Sequence, residues 1–342
     1  MKAMILNGVS NLKENRNPLT MVNIPVPVPK DMEVLIKILV CGVCHTELDE
    51  IEGRIAPIVF PVVPGHQVVG IVTELGTGTS KFKIGDRVGV AWIYSACGLC
   101  KFCLDGKENL CDHFLATGKD VNGGYAEYMA VPEKYAHKIP EFFSDAEAAP
   151  LLCAGAIGYR SLRLAQLKDG DNVGLTGFGA SAHLVLKILK YSYPKTKIFV
   201  FARKEEERTF AKELGAEWAG DTSNACPEKL DVIIDTTPAW KPVVEALANL
   251  KKGGRLVINA IRKEGTDKGY LQNLNYQDHL WMEKEIKSVA NLTAKDVEDF
   301  LILAANASIR PEVQIFSLEE ANKALFELKE RHVQGAKVLK IN

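Results

Sequence analysis

The chain has 342 residues, enough for two domains with buried cores, and its 47% apolar and 25% charged residues are the balance of an ordinary globular protein. A formal net charge of −1 gives no electrostatic ground for expecting nucleic acid or an anionic membrane as partner. No uninterrupted apolar run approaches a membrane span, residues 1–18 lack the basic and apolar regions of a secretory signal, and clustered cysteines then fit metal ligation in a reducing compartment, so a cytoplasmic location is expected.

Residues 1 to 153 read as β-rich, with β-branched runs over 33–40, 68–74 and 87–92 separated by Gly, Pro and Asp. Pro25, Pro27 and Pro29 alternate with Ile24, Val26 and Val28, the pattern of an extended edge segment, because proline cannot donate to a ladder. Cys97, Cys100, Cys103 and Cys111 follow with the spacing C-x2-C-x2-C-x7-C. Two-residue gaps let a tight turn aim neighbouring thiolates at one ion, and four such ligands make a closed, structural zinc site. The pattern changes near residue 150. Strand-like runs over 172–176, 198–201, 231–235 and 255–260 alternate with helical stretches over 182–190, 205–214 and 243–250, which predicts a parallel sheet with crossover helices. Helical stretches over 296–305 and 318–331 and an apolar run over 337–341 return to mixed character. The fold expected is a β-rich domain over 1–153, an inserted α/β domain over 154–290, and a return to the first over 291–342.

At the first strand–helix junction of the inserted stretch, Gly177-Phe178-Gly179-Ala180-Ser181-Ala182 reads G-x-G-x-x-A. Gly177 permits a tight turn, Gly179 lets backbone approach a pyrophosphate at the helix N-terminus, and small Ala182 allows close helix–strand packing. An incidental glycine turn is the plain alternative; the position between a strand and a helix argues against it. The next strand ends Phe201-Ala202-Arg203-Lys204, without the carboxylate that binds a ribose 2′-hydroxyl in NAD sites. An Arg beside a small residue suits a 2′-phosphate, so NADP(H) is expected over NAD(H), the alternative being two solvated cations at a strand end.

Cys44-His45-Thr46-Glu47-Leu48, Gly65-His66-Gln67-Val68-Val69-Gly70 and Leu152-Cys153-Ala154-Gly155 complete a combination that, with the four-cysteine lobe and the glycine loop, resembles the zinc-dependent alcohol dehydrogenases of the medium-chain dehydrogenase/reductase family from end to end. The resemblance implies a GroES-like catalytic domain that holds two zincs and an inserted Rossmann domain, a doubly wound parallel sheet, that binds the nicotinamide cofactor. It implies that Cys44, His66 and Cys153 hold a catalytic zinc, and that Cys97, Cys100, Cys103 and Cys111 hold a structural one. Three protein ligands leave a fourth position for water or substrate, and two thiolates neutralise the ion while leaving it a Lewis acid. By the same resemblance Thr46 would hydrogen-bond the reacting oxygen and begin a proton relay, His45 would lie near the cofactor, and Trp92 would narrow the substrate pocket in favour of small primary alcohols. Taken singly these residues have plainer readings: Cys44 and Cys153 as buried thiols, His66 as a satisfied polar group, Thr46 as a helix cap, Trp92 as core. Cys41 and Cys226 match no ligand position.

Three positions depart from the family pattern. Gln67 stands where a glutamate near the zinc is usual, Asp49 where a relay histidine is usual, and Ile157 where a nicotinamide-contacting threonine is usual. Asp49 is then an expected route for protons, with direct release to water the alternative. The leading expectation is an alcohol dehydrogenase acting on small alcohols and aldehydes as a homodimer or homotetramer. The rivals are a polyol or aldehyde-reductase relative, and a zinc-stabilised NADPH-binding protein that has lost catalysis.

Overall fold

The computed structural model describes residues 1–330 and 335–341, so the end of the helix expected over 318–331 lies outside the described residues. The chain forms two compact units, Met1–Ala156 with Leu292–Asn342, and Ile157–Asn291. The first boundary falls after Ala156, not at 153, because the helical segments Asp145–Pro150, Leu151–Gly155 and Ala156–Ala165 follow one another without a loop. Punctuation by Gly or Pro is what sequence reading relies on, and here the only proline, Pro150, sits inside the helical run.

The first unit is organised by the strand Glu33–Val43, whose eleven residues are almost all buried. It pairs antiparallel with Val68–Leu75, Tyr128–Pro132 and the C-terminal Ala336–Lys340. Its register sets Cys41 opposite Val68, and the amide of Gly42 donates to the carbonyl of Gln67 (2.9 Å). The chain leaving one strand at Cys44 and entering the next after His66 is therefore held at one end of the sheet. Two expectations fail here. The strand Leu19–Asn23 stops before Ile24, and the segment with Pro25, Pro27 and Pro29 forms no ladder, since three missing N–H groups in five residues leave too little to pair. The strand expected over 87–92 ends at Val90, and Trp92 lies at the bend before Ile93–Ser95.

The second unit is a six-stranded, wholly parallel sheet in the order Trp218–Gly220, Lys197–Phe201, Asn172–Thr176, Leu230–Asp235, Leu250–Ile258, Glu285–Ser288. Numbered along the chain this is 3-2-1-4-5-6, the Rossmann order. All five residues of Asn172–Thr176 are buried, as a strand covered on both faces requires. The helices Ala180–Ser192, Glu205–Glu213 and Lys241–Asn249 provide crossovers, and an apolar cluster including Phe199, Phe201, Ile233, Leu247 and Leu256 fills one face. In such a sheet ligands bind beyond the carboxyl ends of the strands, where the order reverses at Asn172–Thr176. No helix among the described residues is long and apolar enough to cross a membrane.

Candidate active site and metal centres

Cys44, His66 and Cys153 present one ligand atom each within 4.8 Å of one another. The sulfurs of Cys44 and Cys153 are 3.9 Å apart. Two thiolates at about 2.3 Å from one tetrahedral zinc would stand about 3.8 Å apart, so the spacing fits that ion. His66 is 1% exposed; its Nδ1 lies 2.6 Å from Glu47 Oε1, and its Nε2 is buried with no hydrogen-bond partner. An orphaned ring nitrogen beside two sulfurs is what a metal ligand looks like before the ion binds. Sharing of a proton with Cys153 pulls the Cys44 thiol well below its ordinary value, and the same contact pushes Cys153 well above it. Burial disfavours a charged His66 ring, but the Glu47 carboxylate and the Cys44 sulfur together oppose it and raise the imidazole well above its ordinary value.

Cys44 is also the N-cap of the helix His45–Ile51, its sulfur accepting from the Thr46 amide (3.4 Å), while Glu47 Oε2 accepts from the Cys44 amide (2.8 Å). Glu47 therefore closes a capping box with one oxygen and steers His66 with the other. It is fully buried. Thr46 is not the cap; its hydroxyl lies 3.5 Å from the Cys44 sulfur. Gln67 is buried and packed over Gly42, where an added Cβ would come within 2.1 Å of its Oε1. Trp92 is half-buried and edge-on to His66 with ring centroids 6.5 Å apart, and it packs on Phe114. Asp49, expected as a proton route, carries its buried carboxylate against Arg54. The tight turn at Gly53 (φ +77°) returns the chain and brings that guanidinium back. His45 is exposed.

The second cluster is Cys97, Cys100, Cys103 and Cys111, all four ligand atoms likewise within 4.8 Å. The Cys97 and Cys103 sulfurs are 3.9 Å apart, and those of Cys100 and Cys103 are 3.6 Å apart. Amides of Leu99 and Cys100 donate to the Cys97 sulfur and bring its thiol down to about 6. Amides of Cys97 and His113 donate to the Cys111 sulfur. Backbone donors aimed at sulfur favour thiolates, the form that binds metal. With four protein ligands the site is closed.

In the second unit Gly177 (φ +78°) makes the turn after Asn172–Thr176, and Gly179 is the N-cap of Ala180–Ser192. A Cβ on Gly177 would lie 2.9 Å from Thr236 Oγ1 and Thr237 Cγ2, whereas one on Gly179 meets nothing within 4 Å. The first glycine is thus required by packing and the second leaves open space at a helix N-terminus, the arrangement that cradles a pyrophosphate. Phe178 turns inward and meets Phe210 edge to face with centroids 5.9 Å apart, Ala182 is buried, and Ser181 Oγ accepts from Asn259 Nδ2 (3.4 Å). Ala180 opens the helix, its side chain lying outside the described residues. Ile157 gives its carbonyl to the Ser161 hydroxyl. Beyond Lys197–Phe201, Ala202 is buried while Arg203 and Lys204 are exposed. Arg208 Nη1 donates to the carbonyls of both Ala202 and Arg203 (2.8 Å each), fixing the turn that displays those cations.

The alcohol dehydrogenase GroES-like domain model matches residues 30–141. Over 329 residues, 95% of this chain and 93% of the relative, the chain is 41% identical to the probable alcohol dehydrogenase AdhA of Mycobacterium tuberculosis. An alcohol dehydrogenase of Geobacillus stearothermophilus is 34% identical across 100% of this chain and 99% of its own. The chain belongs to the zinc-dependent alcohol dehydrogenases of the medium-chain dehydrogenase/reductase family. Among solved structures, a cinnamyl alcohol dehydrogenase of Sorghum bicolor superposes with a TM-score of 0.83 at 26% identity, covering 99% of this chain and 97% of that one.

Within this medium-chain dehydrogenase, Glu47 is the site residue that sequence reading passed over. A helical carboxylate usually reads as solvated surface, and only the capping-box spacing Cys44-x-x-Glu47 signalled otherwise. Arg208 was hidden similarly, as one cation in the charged helix Glu205–Glu213. Glu47→Gln keeps the cap acceptor but removes the charge that orients His66. It should weaken metal affinity at the Cys44 site by roughly 10–100-fold, measured by competition with a chromophoric chelator.

Proposed function

We propose that this alcohol dehydrogenase interconverts small primary alcohols and aldehydes by hydride transfer to and from NADP(H), with one catalytic and one structural zinc per chain. The observation that carries the reading is the convergence, among the described residues, of three protein ligands, Cys44, His66 and Cys153, in a chain whose second unit has the Rossmann strand order. When bound there, zinc supplies a Lewis acid that acidifies an alcohol hydroxyl or polarises a carbonyl. The chain's own residues do the rest. With metal bound, two thiolates and a neutral imidazole would set the charge of the site, Glu47 Oε1, 2.6 Å from His66 Nδ1, would hold the imidazole tautomer, and the Thr46 hydroxyl, 3.5 Å from the Cys44 sulfur, would pass on the alcohol's proton. A nicotinamide dinucleotide held at the Gly177–Gly179 turn would supply the acceptor for the hydride that an alcohol carbon gives up as its oxygen gives up a proton. With Asp49 engaged by Arg54, the proton leaves to water by another path.

Trp92, edge-on to His66, supports a narrow pocket for slender alcohols. Trp92→Ala should therefore raise kcat/KM for secondary and aromatic alcohols relative to ethanol-sized ones by tenfold or more; an unchanged ratio across such a series would remove the tryptophan from the pocket. For the cofactor, Arg203 and Lys204 are exposed at the strand end and no carboxylate ends that strand, which supports a 2′-phosphate. Three glutamates in the first turn of Glu205–Glu213 oppose it, but they follow the turn that Arg208 holds. Arg203→Ala should cut kcat/KM for NADP by about 10-fold or more, a loss of about 1.4 kcal/mol, with little change for NAD. A wild-type preference for NAD would refute this part of the reading.

A homo-oligomer is supported by the sheet edge Glu285–Ser288, exposed at all four residues, with Trp281, Met282 and Ile286 exposed beside or on it. Eight cysteines free of disulfides suit a reducing compartment such as the cytoplasm. The tethered Asp49 and the neutral Gln67 favour one rival, a zinc-stabilised dinucleotide-binding protein without turnover. A screen of alcohols and aldehydes with both cofactors separates the two.

A further inference from the structure

Lys263 follows the strand Leu250–Ile258 and is 8% exposed at its side chain. Its ammonium pairs with the fully buried carboxylate of Asp235, the last residue of Leu230–Asp235, and donates to the carbonyls of Thr237 (2.8 Å) and Ala239 (3.1 Å). All three ammonium donors are thereby used. Asp235 Oδ1 in turn accepts from the amide (3.2 Å) and hydroxyl (2.8 Å) of Thr237. Burial pushes the Asp235 carboxyl up and Lys263 opposes it. A buried ion pair is weak ground for a stability role, because apolar residues of like volume often serve as well.

What this pair does locally is fix backbone. It holds residues 235–239 in one course, and that segment is the wall of the glycine turn. The Thr236 amide and hydroxyl both donate to the Thr176 carbonyl (2.9 and 3.1 Å), and the space a Gly177 side chain would need is taken by Thr236 and Thr237. Asn259 adds a second tie, its amide donating to the Asp235 carbonyl (2.7 Å) and its side chain to Ser181 Oγ. The sheet order says which part of a ligand this wall would meet. The end of Lys197–Phe201, on one side of the glycine turn, is where adenosine ribose is selected, so the other half of a dinucleotide lies over the end of Leu230–Asp235.

We propose that Lys263 is a positioning residue for the dinucleotide, locking residues 235–239 against the Gly177–Gly179 turn so that the cradle for the nicotinamide half is formed before cofactor arrives. The proposal rests on the dinucleotide-binding reading of the second unit. The test compares the zinc-loaded full chain with Lys263→Met and with the double variant Lys263→Met plus Asp235→Asn, which buries no unpaired charge. NADPH and NADH affinities are read by fluorescence titration, and affinities for 2′,5′-ADP and ADP, which lack the nicotinamide half, by calorimetry. The expected result is a loss of at least tenfold for the full dinucleotide and less than twofold for its adenosine fragment. Equal dinucleotide affinity in a folded variant, or an equal loss for fragment and dinucleotide, overturns the proposal. Hydrogen exchange on the unaltered protein tests it without any variant. The amides of Thr236 and Thr237 should be protected before dinucleotide is added, and free exchange until it binds overturns the pre-formed cradle. If the unaltered protein binds neither dinucleotide, the functional reading itself fails.

Discussion

Cys44→Ser should lower the metal content from two ions per chain to one and reduce kcat/KM for alcohol oxidation by at least about 10³-fold, some 4 kcal/mol of transition-state stabilisation. Serine is chosen because Cys44 has two jobs. Its sulfur is one of the three converging ligand atoms, and it caps the helix His45–Ile51. A serine hydroxyl is among the best N-caps, so the helix and the Glu47 capping box should survive. What is lost is a soft ligand: two protein ligands with a weakly basic hydroxyl hold zinc poorly at neutral pH. The thermal midpoint should move by only a few degrees. Turnover that persists with one ion per chain would refute the assignment of Cys44, His66 and Cys153 as the catalytic centre.

Cys100→Ser should act in the opposite sense, on stability first. The lobe is built from the four-residue helix Lys101–Leu104, the single turn Glu108–Leu110 and a two-stranded ladder of Ile93–Ser95 with Leu115–Ala116. Leu99 and Leu104 are 83% and 74% exposed, and Phe102 and Leu110 are exposed as well, so the stretch between Cys97 and Cys111 buries little apolar surface. Segments this small do not hold a fold by burial, and an ion held by the four sulfurs would supply the missing energy. Losing that ion should lower the thermal midpoint of its own unit by roughly 5–15 °C, given about 2–4 °C per kcal/mol for a unit of about 150–250 residues. Glu108 transmits the damage, because its Oε1 accepts from the Ala294 amide at the start of the helix Ala294–Asn306. An unchanged midpoint after the lobe ion is lost would show that burial alone holds this segment.

These two expectations differ in how much of them could be read without coordinates. Ligand chemistry constrains residue type and spacing so tightly that the four-cysteine lobe stands out in the sequence, whereas Cys44, His66 and Cys153, scattered along the chain, were legible as a set through the family resemblance; the structure brings the same seven side chains into two groups. The alternating unit was equally legible. The run over 172–176 is the observed strand Asn172–Thr176, since a strand buried on both faces is a short apolar run between breakers. What stayed hidden depends on contacts made by turns and by distant residues. Arg54 reaches Asp49 only because Gly53 reverses the chain, and Lys263 meets Asp235 across 28 positions. Glu47 was missed because a carboxylate in a helix carries no mark of the histidine it will face. The proline segment failed differently: alternation suggested a sheet edge, yet the partner strand Lys2–Leu6 offers register only as far as Asn23.

The most direct test of the account couples metal analysis to turnover on one preparation of the unaltered protein. Zinc is counted per chain, and reduction of NADP and NAD is followed with a series of primary, secondary and aromatic alcohols. Two zincs per chain are expected, with turnover that is fastest with small primary alcohols and NADP and that disappears when the more labile zinc is removed. Two zincs and tight dinucleotide binding without turnover of any alcohol or aldehyde would contradict it.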